Sequence, residues 1–167
     1  MTRYLLDSSV FIQAKNLHYR FVFCQAFWDL LIELNRQGKV FSINKVKREL
    51  RKGSDELTEW IENLPDSFWL DENNAITEYA NVINWSNNQN FKPKAVKDFA
   101  EESRADAWLV STAKYMSDTV IVTQEVHIDT NIKKAIKIPN AADAFEVDCI
   151  SIYDFLSATC ENNFTAK

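Results

Sequence analysis

The sequence predicts an α/β fold, a three-layer α/β/α sandwich on a central, mostly parallel sheet of about five strands, with residues 1–167 forming one domain. Three observations predict it. Short apolar runs without polar alternation, Tyr4-Leu5-Leu6 and Thr119-Val120-Ile121-Val122-Thr123 above all, read as strands covered on both faces. Longer stretches with helical spacing separate these runs, and strand alternating with helix implies parallel pairing through right-handed crossovers. Finally, 167 residues with 46% hydrophobic and 13% aromatic content suffice for one sizeable core and are too few for two ordinary ones. Two Gly and three Pro leave little room for low-complexity loops, and no internal repeat is present.

In chain order, Tyr4–Leu6 is the first strand, and Asp7 or Ser9 is placed to cap the helix that follows it. Phe21, Phe23, Phe27 and Trp28 form an aromatic cluster leading into a helix. Its positions Phe27, Leu30, Leu31 and Leu34 follow the i, i+3, i+4, i+7 pattern, and Gly38 ends it. Such aromatics can stack on bases, but the helical spacing assigns them to the core. Val40–Ile43 is the second strand. Asn44 caps a helix from Lys45 to Lys52, closed by Gly53, with Val46 and Leu50 inward.

Ser54 and Asp55 cap the next helix, whose stripe of Leu57, Trp60, Ile61 and Leu64 is stopped by Pro65. Phe68-Trp69-Leu70 is too short to assign. A helix from about Glu72 to Trp85 puts Ile76, Tyr79, Ala80 and Ile83 on one side, and Ser86–Asn90 is the most loop-like tract, a candidate mobile segment. Beyond Pro93 a helical stretch leads to Ser103-Arg104-Ala105-Asp106, and Leu109, Val110 and Ala113 carry the inner face of a helix to about Met116. Thr119–Thr123 is the clearest strand, β-branched throughout. Ile136–Pro139 reads as an edge segment, Asn140 opens a short helix through Phe145, and Val147–Ile150 is the last strand. Ser151 and Asp154 form a capping box for a final helix.

A net charge of −5 does not match a nonspecific nucleic-acid binder, so any nucleic-acid contact must use a local patch. No apolar run approaches the roughly 18 residues of a membrane span, and Met1-Thr2-Arg3 leads straight into the first strand. A cytoplasmic location without membrane contact is therefore expected. Cys24, Cys149 and Cys160 are odd in number and irregularly spaced, with only His18 and His127 as imidazoles, which suits buried thiols better than a zinc site.

Asp7 stands at the carboxyl end of the first strand, where open α/β sheets place their chemistry. Glu49 lies on the helix after the second strand, Asp106 in the first turn of the helix before the strongest strand, and Glu125 just after that strand. Each has an ordinary explanation taken singly, Asp106 as an acid favoured by the helix dipole. Converging without cationic partners they would repel and raise one another's pKa, and a hard cation resolves the conflict. Oxygen ligands with retained waters suit Mg²⁺ or Mn²⁺, one or two ions, and such ions drive phosphodiester hydrolysis.

These residues resemble the PIN-domain nucleases, of the compact bacterial kind that includes toxin ribonucleases of toxin–antitoxin modules. The likeness runs from about Tyr4 to Leu156 and rests on Tyr4-Leu5-Leu6-Asp7-Ser8-Ser9-Val10-Phe11-Ile12, Val46-Lys47-Arg48-Glu49-Leu50, Ala105-Asp106-Ala107-Trp108-Leu109-Val110 and Val122-Thr123-Gln124-Glu125. It implies Mg²⁺- or Mn²⁺-dependent hydrolysis of RNA by Asp7, Glu49, Asp106 and Glu125, with Ser9 and Thr123 orienting the metal shell or its water. A cognate antitoxin and a homodimer are the implied protein partners. Gln124-Glu125 departs from the Asn-Asp or Asp-x-Asp that many members carry, which leaves Asp129 as an alternative fourth acid, and Glu101 and Glu102 compete for the third.

RNA-backbone candidates are Lys45, Arg48, Arg51 and Lys52 around Glu49, and Lys133 and Lys134 after Glu125, in basic stretches that also hold Lys47 and Lys137; alternatively these form a solvated face in which Lys45 and Glu49 pair at i, i+4. The competing functional reading is a PIN-like protein-binding module with little or no catalysis. A receiver-like domain expects paired acids near the start and a late Lys, and a flap nuclease needs more acids and a helical arch.

Overall fold

The first strand runs through the middle of the molecule and everything else is built outward from it. The computed structural model describes residues 1–167. In chain order the elements are β1 (Arg3–Leu6), α1 (Ser8–Asn16), α2 (Gln25–Arg36), β2 (Val40–Ile43), α3 (Asn44–Leu50), α4 (Glu56–Glu62), β3 (Trp69–Leu70), α5 (Ile76–Asn87), α6 (Pro93–Phe99), α7 (Asp106–Met116), β4 (Thr119–Val122), α8 (Ile138–Ala144), β5 (Cys149–Ile150) and α9 (Ile152–Thr159), followed by a small hairpin of β6 (Cys160–Glu161) and β7 (Thr165–Ala166). The main sheet has the order β3-β2-β1-β4-β5 with every pairing parallel, and helices cover both faces, giving the expected three-layer sandwich. Leu5 is level with Phe41 on one side and Ile121 on the other. Because β2 and β4 flank β1 on opposite sides, the chain reverses direction of winding beside β1, which opens a crevice at the carboxyl ends of β1 and β4.

Burial explains why these segments are strands. Leu5, Leu6, Val40, Ile43, Ile121 and Val122 are fully buried, which only a sheet covered on both faces provides. The aromatic cluster is core, with Phe27 and Trp28 fully buried and Phe21 stacked on Trp28 at 4.0 Å, although Phe23 faces solvent. In α7 every residue from Ala107 to Ala113 is buried, Ser111 and Thr112 included, so this part of the helix is enclosed on all sides. Tyr79 of α5 stacks on Trp108 of α7 at 3.8 Å and locks the two helices together. No helix is long and apolar enough to cross a membrane.

Several expectations are corrected. Asn44 is the first residue of α3 rather than its cap, and α3 stops at Leu50, with Arg51 to Gly53 forming a turn. The Glu72–Trp85 helix begins as a 3-10 turn (Glu72–Ala75) and its inward stripe is Ala75, Tyr79, Val82 and Ser86, while Ile76 and Ala80 are exposed. Stacking on Trp108 sets that phase, and Ser86 tolerates burial because its hydroxyl donates to the Ile83 carbonyl at 2.7 Å. The expected loop at Ser86–Asn90 is therefore helical as far as Asn87. Ile136–Pro139 is not an edge strand: Ile138 and Pro139 begin α8, where a proline's missing N–H costs nothing. Asn140 thus lies inside α8, and only Cys149 and Ile150 of the expected last strand pair.

Candidate functional site

Asp7 is the hub. Held 3% exposed at the end of β1, it caps α1 by accepting the Ser8 N–H on Oδ1 at 2.7 Å. Its Oδ2 accepts the Ser9 hydroxyl at 2.6 Å and the Thr123 hydroxyl at 2.9 Å. Each hydroxyl in turn accepts a backbone N–H from the turn after β4, Ser9 that of Gln124 and Thr123 that of Glu125, both at 3.1 Å. Capping and site chemistry therefore coexist in one carboxylate. Through these two hydroxyls Asp7 also fixes the backbone that carries Glu125.

The other three acids surround Asp7, and its charge contributes to raising the pKa of each. Glu49 leaves α3 and accepts the Ala105 N–H at 2.9 Å, one residue ahead of Asp106. Burial raises its pKa first, the Ala105 amide and the Ser8 hydroxyl oppose that, and Asp7 adds to it. Glu125 accepts the Ile138 N–H at the start of α8 at 2.7 Å, and its pKa is likewise raised, first by burial and then by Asp7. Asp106 has a side chain 16% exposed, and its carboxyl is pushed up to about 7, by burial first, then by Asp7 and Glu125, with Arg104 opposing. Arg104 Nη2 lies 3.6 Å from Asp106 Oδ2.

A recess of about 110 Å³ opens between Asp106 and Glu125, walled by Arg104, Lys134, Ile136 and Lys137. That is space for a few waters or a small hydrated ion. No three His, Cys, Asp or Glu side chains form a ready-made metal cluster, however. Asp7 accepts protein donors on both carboxylate oxygens, and Glu49 and Glu125 on one each. The donor set of four carboxylates and two hydroxyls contains only hard oxygen. It fits Mg²⁺ or Mn²⁺ held partly through water, and it does not fit zinc.

Asp129 is exposed and accepts the N–H of Asn131 at 2.8 Å in a turn, so Glu125 is the fourth acid of the cluster. Glu101 and Glu102 are exposed and stand over α3. The basic candidates scatter. Arg51 forms a two-pronged pair with Glu62, and Arg48 lies 3.8 Å from the buried Glu72. Lys45 is 6% exposed, with no ion pair to Glu49, and packs over Trp108. Lys133 covers Phe91, and Lys134 alone of the set joins the recess.

Sequence reasoning missed Arg104, whereas Lys137 falls in the basic stretch it read after Glu125. Arg104 was legible in principle, since a cation two residues ahead of a suspected ligand is a signal. It also missed Asn140, which bonds both backbone groups of Ile128 at 2.9 and 3.0 Å and so pins the long loop that follows Glu125. The three cysteines are free, and burial pushes the Cys149 thiol up to about 12, the behaviour of a packing residue.

The family described as a domain of unknown function (DUF4411) matches residues 4–162 of the chain. No curated protein and no solved structure matches it.

Proposed function

The chain belongs to the DUF4411 family, and from that premise and the geometry of its site we propose that it is a Mg²⁺- or Mn²⁺-dependent endoribonuclease of PIN-like type, the toxin of a toxin–antitoxin pair. One observation carries the reading: four carboxylates from four separate segments lie near enough at the switch point of a parallel sheet for Asp7, Glu125 and Glu49 each to push up the Asp106 carboxyl, and they are balanced only in part, by Arg104 at Asp106, Lys137 at Glu125 and Lys52 at Glu49. A cluster of acids so incompletely balanced is a candidate site for a cation from outside. Asp7, Glu49, Asp106 and Glu125 would hold the ion, with Ser9 and Thr123 orienting Asp7. When bound, it supplies charge stabilisation to the phosphoryl transition state and acidifies water.

The chain's own groups supply the rest. Arg104, Lys134 and Lys137 present positive charge at the wall of the recess, where a phosphate would lie. Asp106, pushed up to about 7, exchanges a proton near neutrality unless a cation holds it ionised. Incubating single-stranded RNA with the protein in Mn²⁺ and in chelator, beside Asp106→Asn, tests the proposal. Cleavage by the parent in Mn²⁺ alone is expected. RNA left intact by the parent in both ions would remove it and leave the protein-binding module. A small DNA-binding gene beside this one would support the toxin assignment.

A further inference from the structure

Lys45 is the least expected residue of the molecule. It is 6% exposed, makes neither a hydrogen bond nor an ion pair, and its ammonium lies 5.5 Å from the centroid of the Trp108 ring. The ring face attracts the ammonium, but it leaves the donors of that ammonium without an acceptor. Lys45 also lines a cavity of about 580 Å³ with Arg48, Glu49, Lys52, Glu101, Glu102 and Ser103, and none of those seven side chains is hydrophobic. Two of the acids there are already engaged, Glu49 by the Ala105 amide and Glu101 by the Ser103 hydroxyl at 2.9 Å. Lys45 is thus a lysine buried along its stem whose ammonium, paired with no acid, opens on a polar cavity, one helical turn from Glu49 on α3.

We propose that this cavity is a phosphate subsite with Lys45 as its buried anchor, taking a phosphate of the bound polynucleotide other than the one cleaved. Identifying the ligand as RNA rests on the nuclease reading; the affinity for a phosphate group does not. A compact ammonium acts as a point charge that any phosphate oxygen satisfies. The site therefore reads backbone position and not base sequence.

The test uses the full chain in chelator, with two probes: inorganic phosphate against chloride at equal ionic strength, and a single-stranded RNA decamer. Lys45→Met keeps the stem and removes the charge, and Lys94→Met, at an exposed lysine paired with Asp98, serves as control. Phosphate should raise the melting temperature of the parent and of the control but not of Lys45→Met. RNA affinity should fall about tenfold in Lys45→Met alone, with the log–log salt slope shallower by about 0.7. Ser103→Glu, at an exposed position on the cavity wall, places a carboxylate in the subsite without disturbing the core and should abolish the phosphate response. Undiminished phosphate and RNA binding in Lys45→Met or Ser103→Glu, or an equal loss in the control, overturns the proposal. A parent that binds phosphate but cleaves nothing sinks the nuclease reading alone, whereas one that cleaves in Mn²⁺ but ignores phosphate sinks the subsite alone.

Discussion

Replacing Asp106 by Asn separates the metal-site account from a helix-capping account in one experiment. The carboxyl of Asp106 stands at about 7 in the folded protein against an ordinary 3.8. The native state therefore holds a proton that the unfolded chain releases between those values, so stability falls as pH rises through that window. At 1.36 kcal/mol per pH unit the penalty at pH 8 is at most about 4 kcal/mol, and it vanishes below about pH 4. Asn keeps the shape without the charge. In chelator at pH 8, Asp106→Asn should melt above the parent, by up to about 16 °C at the roughly 2–4 °C per kcal/mol of a domain this size. The gap should close as pH falls to 4. Adding Mn²⁺ should close roughly two thirds of the pH 8 gap, since the parent gains RT ln(1 + [L]/Kd), about 2.7 kcal/mol at 100 times Kd, and the variant gains little. Calorimetry of both proteins at pH 4, 6 and 8, with and without Mn²⁺, reads all of this. A variant that melts about 0.3–1 kcal/mol lower at every pH and responds to Mn²⁺ like the parent would refute the reasoning and make Asp106 a helix-dipole acid.

Arg104→Ala should raise the Asp106 pKa further, because Arg104 is the neighbour that lowers it; a carboxyl titration by NMR checks this, and an unmoved midpoint would show that Arg104 is not its partner. Thr123→Val removes a hydroxyl that serves Asp7 and the Glu125 N–H at once, so it should cost about 1–3 kcal/mol and weaken Mn²⁺ binding. Denaturant unfolding and a Mn²⁺ titration read the two losses, and a loss of neither would deny the relay. Arg51→Ala breaks only an exposed pair with Glu62, which solvent screens, so it should leave the melting temperature and the salt slope of RNA binding as they are. A homodimer is expected at tens of micromolar, and light scattering that returned a monomer mass would dismiss it.

Three of the acids were legible because each follows an apolar strand or begins an apolar helix, and those patterns are local, whereas Glu49 stands late in α3. Asp7, Asp106 and Glu125 could be placed at one end of a parallel sheet without coordinates for that reason. What was not legible depends on packing between distant segments. Lys45 reads as a surface lysine until Trp108, sixty-three residues later, arrives over it. Ile76 looks like the inner face of α5, but the Tyr79–Trp108 stack turns the helix so that Val82 and Ser86 point inward. Ile136–Pro139 has strand-like residues, yet its backbone is drawn into α8, where the Ile138 N–H is spent on Glu125. Arg51 carried no sequence sign of its pair, since Glu62 sits on another helix eleven residues away.

The outermost strands of the sheet, β3 and β5, are two residues long each. An approaching chain would find only one or two free backbone groups at either border, too few to template a new neighbour, and this is a common defence against edge-to-edge aggregation. A self-associating form of this protein is thus denied the cheapest geometry, a sheet continued across two subunits. It must meet its copy through side chains on helices, where a single exposed substitution can abolish pairing and leave the sheet and its acids undisturbed.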